Sequence, residues 1–188
     1  MSIIYRTWHA NDYALLAEGE IDLAMTMMTD SPADFHGRII GEDRPVCCMS
    51  SEHPLTAASQ ISLDQYLYAA HVTITGGGDK DGFIDTWLKK KNQRREIKLA
   101  VPYFTAALRV ISQSPYLLTI PEHIAIKLAQ DYPIAWRALG FEQFTHRYWM
   151  LWHSRHQHSP EQQWFRRLVH SQFQQSQFLS PGQVRPSS

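Results

Sequence analysis

The residues with the most evident chemical potential lie in one stretch, TGGGDKDGFIDTW (75–87). Its glycines and closely spaced aspartates suggest a calcium loop or a phosphate loop. An EF-hand loop takes its ligands at positions 1, 3, 5, 7, 9 and 12, with glycine at position 6 for the sharp turn. With Gly82 at position 6, Asp79, Asp81 and Asp85 fall at positions 3, 5 and 9, so the centre of the stretch fits.

The two ends of the stretch argue against calcium. Gly77 would occupy position 1 and Leu88 position 12, and neither supplies the carboxylate that an EF-hand needs there. A phosphate loop needs a Lys-Ser or Lys-Thr pair after its glycines, and none follows. What remains is a strand, HVTIT (71–75), then a glycine turn and a helix with Asp81 as candidate N-cap. The exposed start of such a helix could hold an anion.

Four histidines near the end of the chain raise a metal hypothesis: His146, His153, His156 and His158. If the strand that carries His153 continues, His153 and His156 fall on its opposite faces. No cysteine is nearby, and no acidic residue converges on them in the sequence. Surface or interface roles are therefore favoured over a metal site, and we expect neither a metal nor another cofactor.

Two further groups of residues invite a chemical interpretation. Ser50 and Ser51 lie near His53, but no G-x-S-x-G elbow surrounds them, so we expect no catalytic residues and no enzyme. The basic run KKKNQRR (89–95) could touch phosphate. Such a run is more often the solvated end of a helix, where lysines also favour the helix dipole.

Composition sets the broad class of the protein. The 188 residues are 44% hydrophobic and 19% charged, which is typical of a globular chain and not of a disordered one. Eighteen basic and eighteen acidic side chains cancel, so no overall charge favours nucleic acid or an anionic membrane. Cys47 and Cys48 are neighbours on a predicted strand and point to opposite faces, which fits a reducing compartment. With no signal peptide and no membrane-length apolar run, we expect a cytoplasmic protein without a membrane partner.

Strand-like and helix-like segments alternate along the chain. Gly19 is a candidate helix stop, Ser62 and Gln65 form a capping box, and Thr119 and Glu122 are candidate cap partners. In the last helix Trp164 and Leu168, with Phe165, are expected to face inward. Strands are predicted at 3–8, 21–27, 44–51, 71–75, 95–103, 116–120 and 146–153, and helices at 11–20, 62–70, after the glycine turn, at 104–112, at 121–130 and from Ser159 onward.

Short strands joined by helices predict a parallel sheet with right-handed crossovers. Ligands in such sheets bind beyond the carboxyl ends of the strands. That rule selects the turns at Thr26–Met28, Thr75–Gly78 and Tyr103–Thr105, and Thr119 just before its helix. Helix N-termini at these places offer N–H groups to a carboxylate or a phosphate.

Four segments in fixed order carry a family resemblance. The last is the most specific, with Trp152, His153 and Arg155 followed by Pro160, Trp164 and Arg166. The segments are LLAEGEIDLAM (15–25), MSSEHPL (49–55), LLTIPEHIA (117–125) and YWMLWHSRHQHSPEQQWFRRLV (148–169). Together they resemble the effector-binding (substrate-binding) domain of LysR-type transcriptional regulators.

This resemblance implies an α/β fold like that of periplasmic binding proteins, with two Rossmann-like subdomains joined by two crossover segments. Residues 1–46 plus 149–172 would form subdomain I, residues 47–148 subdomain II, and residues 173–188 a loose tail. An effector cleft would lie between the subdomains. The residues carried over to it by position are Thr26, Thr75, Gly76, Phe104 and Thr105, to which the strand-end rule adds Thr119.

The family also implies a function. A small organic acid, plausibly aromatic, would bind in the cleft and regulate transcription, in a homodimer or tetramer. DNA would be bound only through a winged helix-turn-helix, which has no counterpart in this chain. The first strand–helix unit of the domain also lacks a counterpart, because residues 3–8 align with its second strand. A free-standing cytoplasmic small-molecule-binding protein, or a truncated remnant of a regulator, is the alternative.

Overall fold

The computed structural model describes residues 2–27, 33–75 and 82–175. Its contacts divide the chain into two units. Unit 1 combines Met1–Asp43 with Thr145–Ser188, and unit 2 is Arg44–Phe144. Within the described ranges no helix has the length and apolar character needed to span a membrane.

Unit 1 is built on a small antiparallel sheet. Strand β9 (His146–His153) lies in the middle, between β1 (Ala24–Met27) and β2 (Phe35–Asp43), and runs antiparallel to both. Two helices of this unit are α1 (Tyr13–Glu18) and α6 (Pro160–Gln175). Leu16 of α1 packs with Leu151 in one cluster, and Val169 and Phe173 of α6 pack against Met150 and Trp152 in another. A helix therefore covers each face of the sheet.

Unit 2 is built on a larger mixed sheet of order β4-β8-β3-β7-β5-β6. Strand β5 pairs in parallel with β6 and β7, whereas β3 pairs antiparallel with β7 and β8. The strands are β3 (Pro45–Ser50), β4 (Gln60–Ile61), β5 (Ala70–Ile74), β6 (Glu96–Val101), β7 (Leu117–Pro121) and β8 (Ile134–Leu139), and the helices are α2 (Leu63–Tyr68), α3 (Gly82–Lys90), α4 (Phe104–Ile111) and α5 (Glu122–Leu128).

Helices cover both faces of the unit 2 sheet. On one face α4 and α5 bury Leu108 and Ala125 with Cys48. On the other face α2 and α3 bury Tyr66 and Ile84 with Cys47. The neighbouring cysteines are both buried and free, and they belong to opposite faces, as their places on one strand predict.

The divisions between the units lie a few residues before those expected from the sequence. Val46 pairs with Ile120 and Ala138, so β3 belongs wholly to the sheet of unit 2. Tyr148 pairs with Met27 and Gly41, so β9 belongs wholly to the sheet of unit 1. Divisions after residues 46 and 148 would cut through these hydrogen-bonded strands.

The prediction of parallel sheet is confirmed only for some strand pairs: β5 is parallel to β6 and β7, but both sheets also contain antiparallel pairs. Strands β2 and β8 were not anticipated, and both pair antiparallel with a neighbour. Glycines, charges and a bulge between Ile39 and Gly41 obscure the period-two pattern of β2. In β8, Arg137 interrupts a short apolar segment. Recognised strands such as β3 and β7 also pair antiparallel, so the alternation of helices and strands did not fix strand direction here.

The prediction of a strand at 3–8 was also wrong. Residues 2–9 form neither helix nor strand, and Ile4 is 91% exposed. Strand propensity mainly reflects packing against neighbouring strands. No strand in the described part of the chain pairs with this segment.

Helix ends were predicted with mixed success. The Ser62–Gln65 capping box is present, and Gly19 ends α1 in the left-handed region at φ 85°. The proposed cap by Thr119 was wrong, because the N-cap of α5 is Pro121 and no side chain caps it. The inward orientation of Trp164 was wrong too: it is 50% exposed, and Leu168, one turn on, is exposed as well.

Candidate functional site

The carboxyl ends of three neighbouring strands bring most of the predicted site residues to one edge of unit 2. Because β6, β5 and β7 are adjacent and parallel, their ends lie at the same side of the sheet. Thr75 follows β5 directly, and its N–H donates to Val101 O, at the end of β6, over 2.8 Å. Thr75 is thus held beside the segment that leads into α4.

The start of α4 offers hydrogen-bond donors at this edge. Its N-cap, Tyr103, is extended at φ −131° and ψ 147°, and the Tyr103 side chain makes no capping hydrogen bond. Tyr103 is 69% exposed, and Thr105 in the first turn is exposed as well. Backbone N–H groups and the positive end of the helix dipole favour an anion at such a position.

Phe104 and Thr119 lie in less accessible places. Phe104 is half-buried and packs against the cluster that α4 and α5 cover. Thr119 is only 4% exposed, and its Oγ1 is 2.7 Å from the Oη of Tyr66. Both residues support the edge from within unit 2, and the accessible hydroxyls there belong to Thr75 and Thr105.

The remaining predicted contacts are Thr26 and Gly76. Thr26 belongs to unit 1, where it lies half-buried on β1 opposite Trp149. Gly76 lies outside the described residues, and so does Asp81, the predicted N-cap of α3.

A buried polar cluster lies on the α3 side of the same strands, and the sequence did not reveal it. The basic run at 89–95 was expected to be solvated, yet the side chain of Arg95 is only 2% exposed. Its guanidinium donates to both carboxylate oxygens of Asp85, over 2.8 and 3.0 Å, and to Tyr66 Oη over 3.0 Å. Asp85 had been considered as a calcium ligand. Its partner lies ten residues on, and no local pattern announces their pairing.

The protonation states of this cluster follow from burial. Burial raises the pKa of Tyr66 well above its usual value, so the phenol keeps its proton at neutral pH. Burial lowers the pKa of His71 to about 4, so this imidazole is neutral at pH 7. His71 Nε2 lies 2.7 Å from the backbone oxygen of Tyr66 and, in the neutral ring, donates to it. Burial also raises the pKa of Cys47 to about 12, which removes its nucleophilic character.

The other chemical candidates hold the backbone in turns. Ser50 Oγ donates to Ser112 O over 3.3 Å, and His53 Nδ1 accepts the N–H of Leu55 at 3.1 Å. His153 Nδ1 accepts the N–H of Arg155 at 3.3 Å. Across the part of the chain that the structure describes, no three His, Cys, Asp or Glu side chains converge in a way that could hold a metal ion.

Comparison with known proteins shows that the chain is similar to transcription regulators. The sequence pattern described as LysR substrate binding domain matches residues 4–174. The HTH-type transcriptional activator NahR of Pseudomonas putida is 24% identical over 165 residues, covering 84% of this chain and 52% of NahR. The chain thus spans about half the length of this curated relative.

Solved structures show the same fold. A putative transcriptional regulator from Vibrio parahaemolyticus is 30% identical, with a TM-score of 0.71 over 86% of this chain and 74% of that one. The effector-binding domain of QuiR, in complex with shikimate, is 16% identical. Its TM-score is 0.72 over 88% of this chain and 79% of the QuiR chain.

Proposed function

The chain belongs to the LysR substrate-binding domain family, and from this premise we propose that it binds a small organic acid as the sensor of a transcription regulator. The proposal locates the carboxylate of the acid at the edge where β5, β6 and β7 end. Thr75 and Thr105 are the residues proposed to contact it, with Gly76 as a further contact that the family resemblance predicts.

The observation that carries this proposal is the exposed start of α4. The side chain of its N-cap, Tyr103, makes no capping hydrogen bond, and the exposed Thr105 and the adjacent Thr75 add hydroxyl donors. A carboxylate can accept from a helix start and from hydroxyls at the same time. No charged side chain is needed, so the site would select acids of modest size by geometry.

The class of acid is suggested by two features. QuiR, which shares the fold, binds shikimate, a cyclic carboxylic acid. In this chain the exposed ring of Tyr103 adjoins the proposed carboxylate position and can contact the ring of such a ligand. We therefore propose cyclic and aromatic acids as the effector class.

The wider role of the domain belongs to the same proposal. The acid would control transcription, and DNA would be bound by a winged helix-turn-helix of an intact regulator; the relative NahR is an HTH-type transcriptional activator. The family resemblance implies a homodimer or tetramer. We also expect a cytoplasmic location, because a transcription regulator must bind DNA there.

Isothermal titration of the 188-residue chain tests the proposal. Benzoate and shikimate serve as acid probes, and benzamide is the neutral counterpart of benzoate. We expect the acids to bind and benzamide to bind at least tenfold more weakly. Thr75→Val and Thr105→Val should each weaken benzoate about three- to tenfold, the value of one hydrogen bond.

Thr56→Val is the matched control. Thr56 lies next to β8, at the other end of the strand order, and its hydroxyl donates to His53 O. This variant should bind benzoate like the unmodified chain. Equal binding of benzoate and benzamide, or full affinity in both site variants, would contradict the proposal.

A further inference from the structure

One buried tyrosine is linked to all three strands whose ends form the proposed site. Tyr66 of α2 meets Thr119 of β7 through its hydroxyl at 2.7 Å. Its backbone oxygen accepts from His71 of β5, and the two rings lie 4.4 Å apart. Its hydroxyl also accepts from Arg95, which immediately precedes β6. Tyr66 thus touches β7, β5 and the start of β6 from one side.

The direction of these hydrogen bonds is fixed by chemistry. A guanidinium only donates, so the Oη of Tyr66 must accept from Arg95. Burial keeps the phenol protonated, and a buried hydroxyl proton needs an acceptor. Thr119 Oγ1 is within reach, so Tyr66 donates to Thr119. The chain Asp85–Arg95–Tyr66–Thr119 therefore has a single polarity and one preferred geometry.

Stability alone does not explain such a cluster. Packed apolar side chains often stabilise a core as well as a buried ion pair does, whereas removing one partner of the pair is costly. A buried polar network with defined hydrogen bonds does, however, restrict its elements to one arrangement. Here the restricted elements are α2, α3 and three adjacent parallel strands.

We propose that Tyr66 is a positioning residue of the effector site, assisted by Arg95 and Thr119. It fixes β5 and β6 at their amino ends and β7 at Thr119, and these adjacent strands run from there to Thr75 and to the segment before α4, whose relative positions they set. Thr119 then acts through Tyr66 and does not contact the acid itself. This role rests on the proposed function, because it concerns the affinity of that same site.

The test compares Tyr66→Phe with Ile61→Val. The first variant removes one hydroxyl and keeps the ring and the bond to His71. The second trims Ile61, a buried residue of the same hydrophobic cluster that lies on β4, away from the site strands. Both lower the temperature of unfolding without ligand. At a temperature where both are folded, Tyr66→Phe should bind benzoate about five- to tenfold more weakly, and Ile61→Val should bind it normally.

A second pair of variants keeps the test decisive if Tyr66→Phe folds poorly. Thr119→Ser retains the hydroxyl and should retain affinity for benzoate. Thr119→Val should weaken benzoate binding as much as Tyr66→Phe does. The double variant Tyr66→Phe/Thr119→Val should bind benzoate no more weakly than either single variant.

The outcomes separate the two proposals. Unchanged affinity in Tyr66→Phe and Thr119→Val, or an equal loss in Ile61→Val, would overturn the positioning role while the acid site stands. If the unmodified chain binds neither benzoate nor shikimate, the proposed function is overturned, and the positioning role with it.

Discussion

The guanidinium of Arg95 holds the carboxylate of Asp85 at two points, Nε to Oδ1 over 2.8 Å and Nη2 to Oδ2 over 3.0 Å. Arg95 is buried, while the side chain of Asp85 is about half exposed. The pair therefore attaches α3 to the residue that precedes β6, and its two partners differ in their need for each other. Arg95 depends on Asp85, because a buried cation must be neutralised.

This asymmetry gives a first prediction on stability. Asp85→Ala removes the carboxylate that accepts from the buried guanidinium and should lower the free energy of unfolding by about 2 kcal/mol, discounted for the exposure of Asp85. Arg95→Met leaves a carboxylate that water can reach, and should cost less. Urea unfolding measures both variants. An equal or larger loss in Arg95→Met would contradict the account.

The second prediction concerns pH. Burial lowers the pKa of His71 to about 4 in the folded chain, from about 6.5 when unfolded. Between these values the unfolded chain binds more protons, so stability is fully present above pH 6.5 and falls as the pH drops toward 4. The loss should reach about 3 kcal/mol at the acidic end.

His71→Gln is the control for that prediction. Glutamine can still donate to the backbone oxygen of Tyr66 but does not titrate. Its unfolding free energy, measured in urea from pH 7 to pH 4, should fall less steeply than that of the unmodified chain. Parallel pH profiles for the two chains would show that His71 is not the titrating group.

The third prediction concerns a close approach in unit 1. A Cβ on Gly37 would lie 2.7 Å from Cε3 of Trp149, on the neighbouring strand. Gly37→Ala should therefore cost about 1–3 kcal/mol as the indole is displaced. Gly82→Ala, at the start of α3, meets nothing within 4 Å and should stay within about 0.5 kcal/mol of the unmodified chain. Thermal unfolding of both variants would detect a reversed order, which would contradict this packing.

The fourth prediction concerns the two thiols. Cys47 and Cys48 are fully buried, and burial raises the pKa of each. At pH 8 the folded chain should react with a disulfide reagent such as dithionitrobenzoate on the order of a hundredfold more slowly than the guanidinium-unfolded chain. Rapid reaction of either thiol in the folded chain would mean that β3 is not in the core of its sheet.

Much of the local structure could be predicted from the sequence. The Ser62–Gln65 capping box and Gly19 lie within a few residues of the ends that they determine, so their patterns survive in the folded chain. The strand that ends just before Thr75 and the helix that begins at Phe104 were also recognisable from their apolar period. Together they gave the accessible part of the site.

The rest depended on contacts between distant residues. Residues 3–8 have strand-forming side chains but no neighbouring strand among the described residues, and β2 has a neighbour but an interrupted pattern. The side chain of Arg95 is buried because Asp85 and Tyr66, which is 29 residues away, converge on it. The basic run that contains Arg95 gives no indication of either partner, so its sequence alone predicted a solvated surface.

The most direct test of the proposed acid site is to map benzoate binding on the ¹⁵N-labelled chain by amide chemical shifts. We expect the largest shifts at the N–H groups of Thr75 and of the α4 start at Thr105 and Ala106, with smaller ones at Tyr66 and Thr119. Benzamide should leave these signals in place. Shifts confined to other parts of the chain, or none at benzoate concentrations of several millimolar, would contradict the acid site at the start of α4.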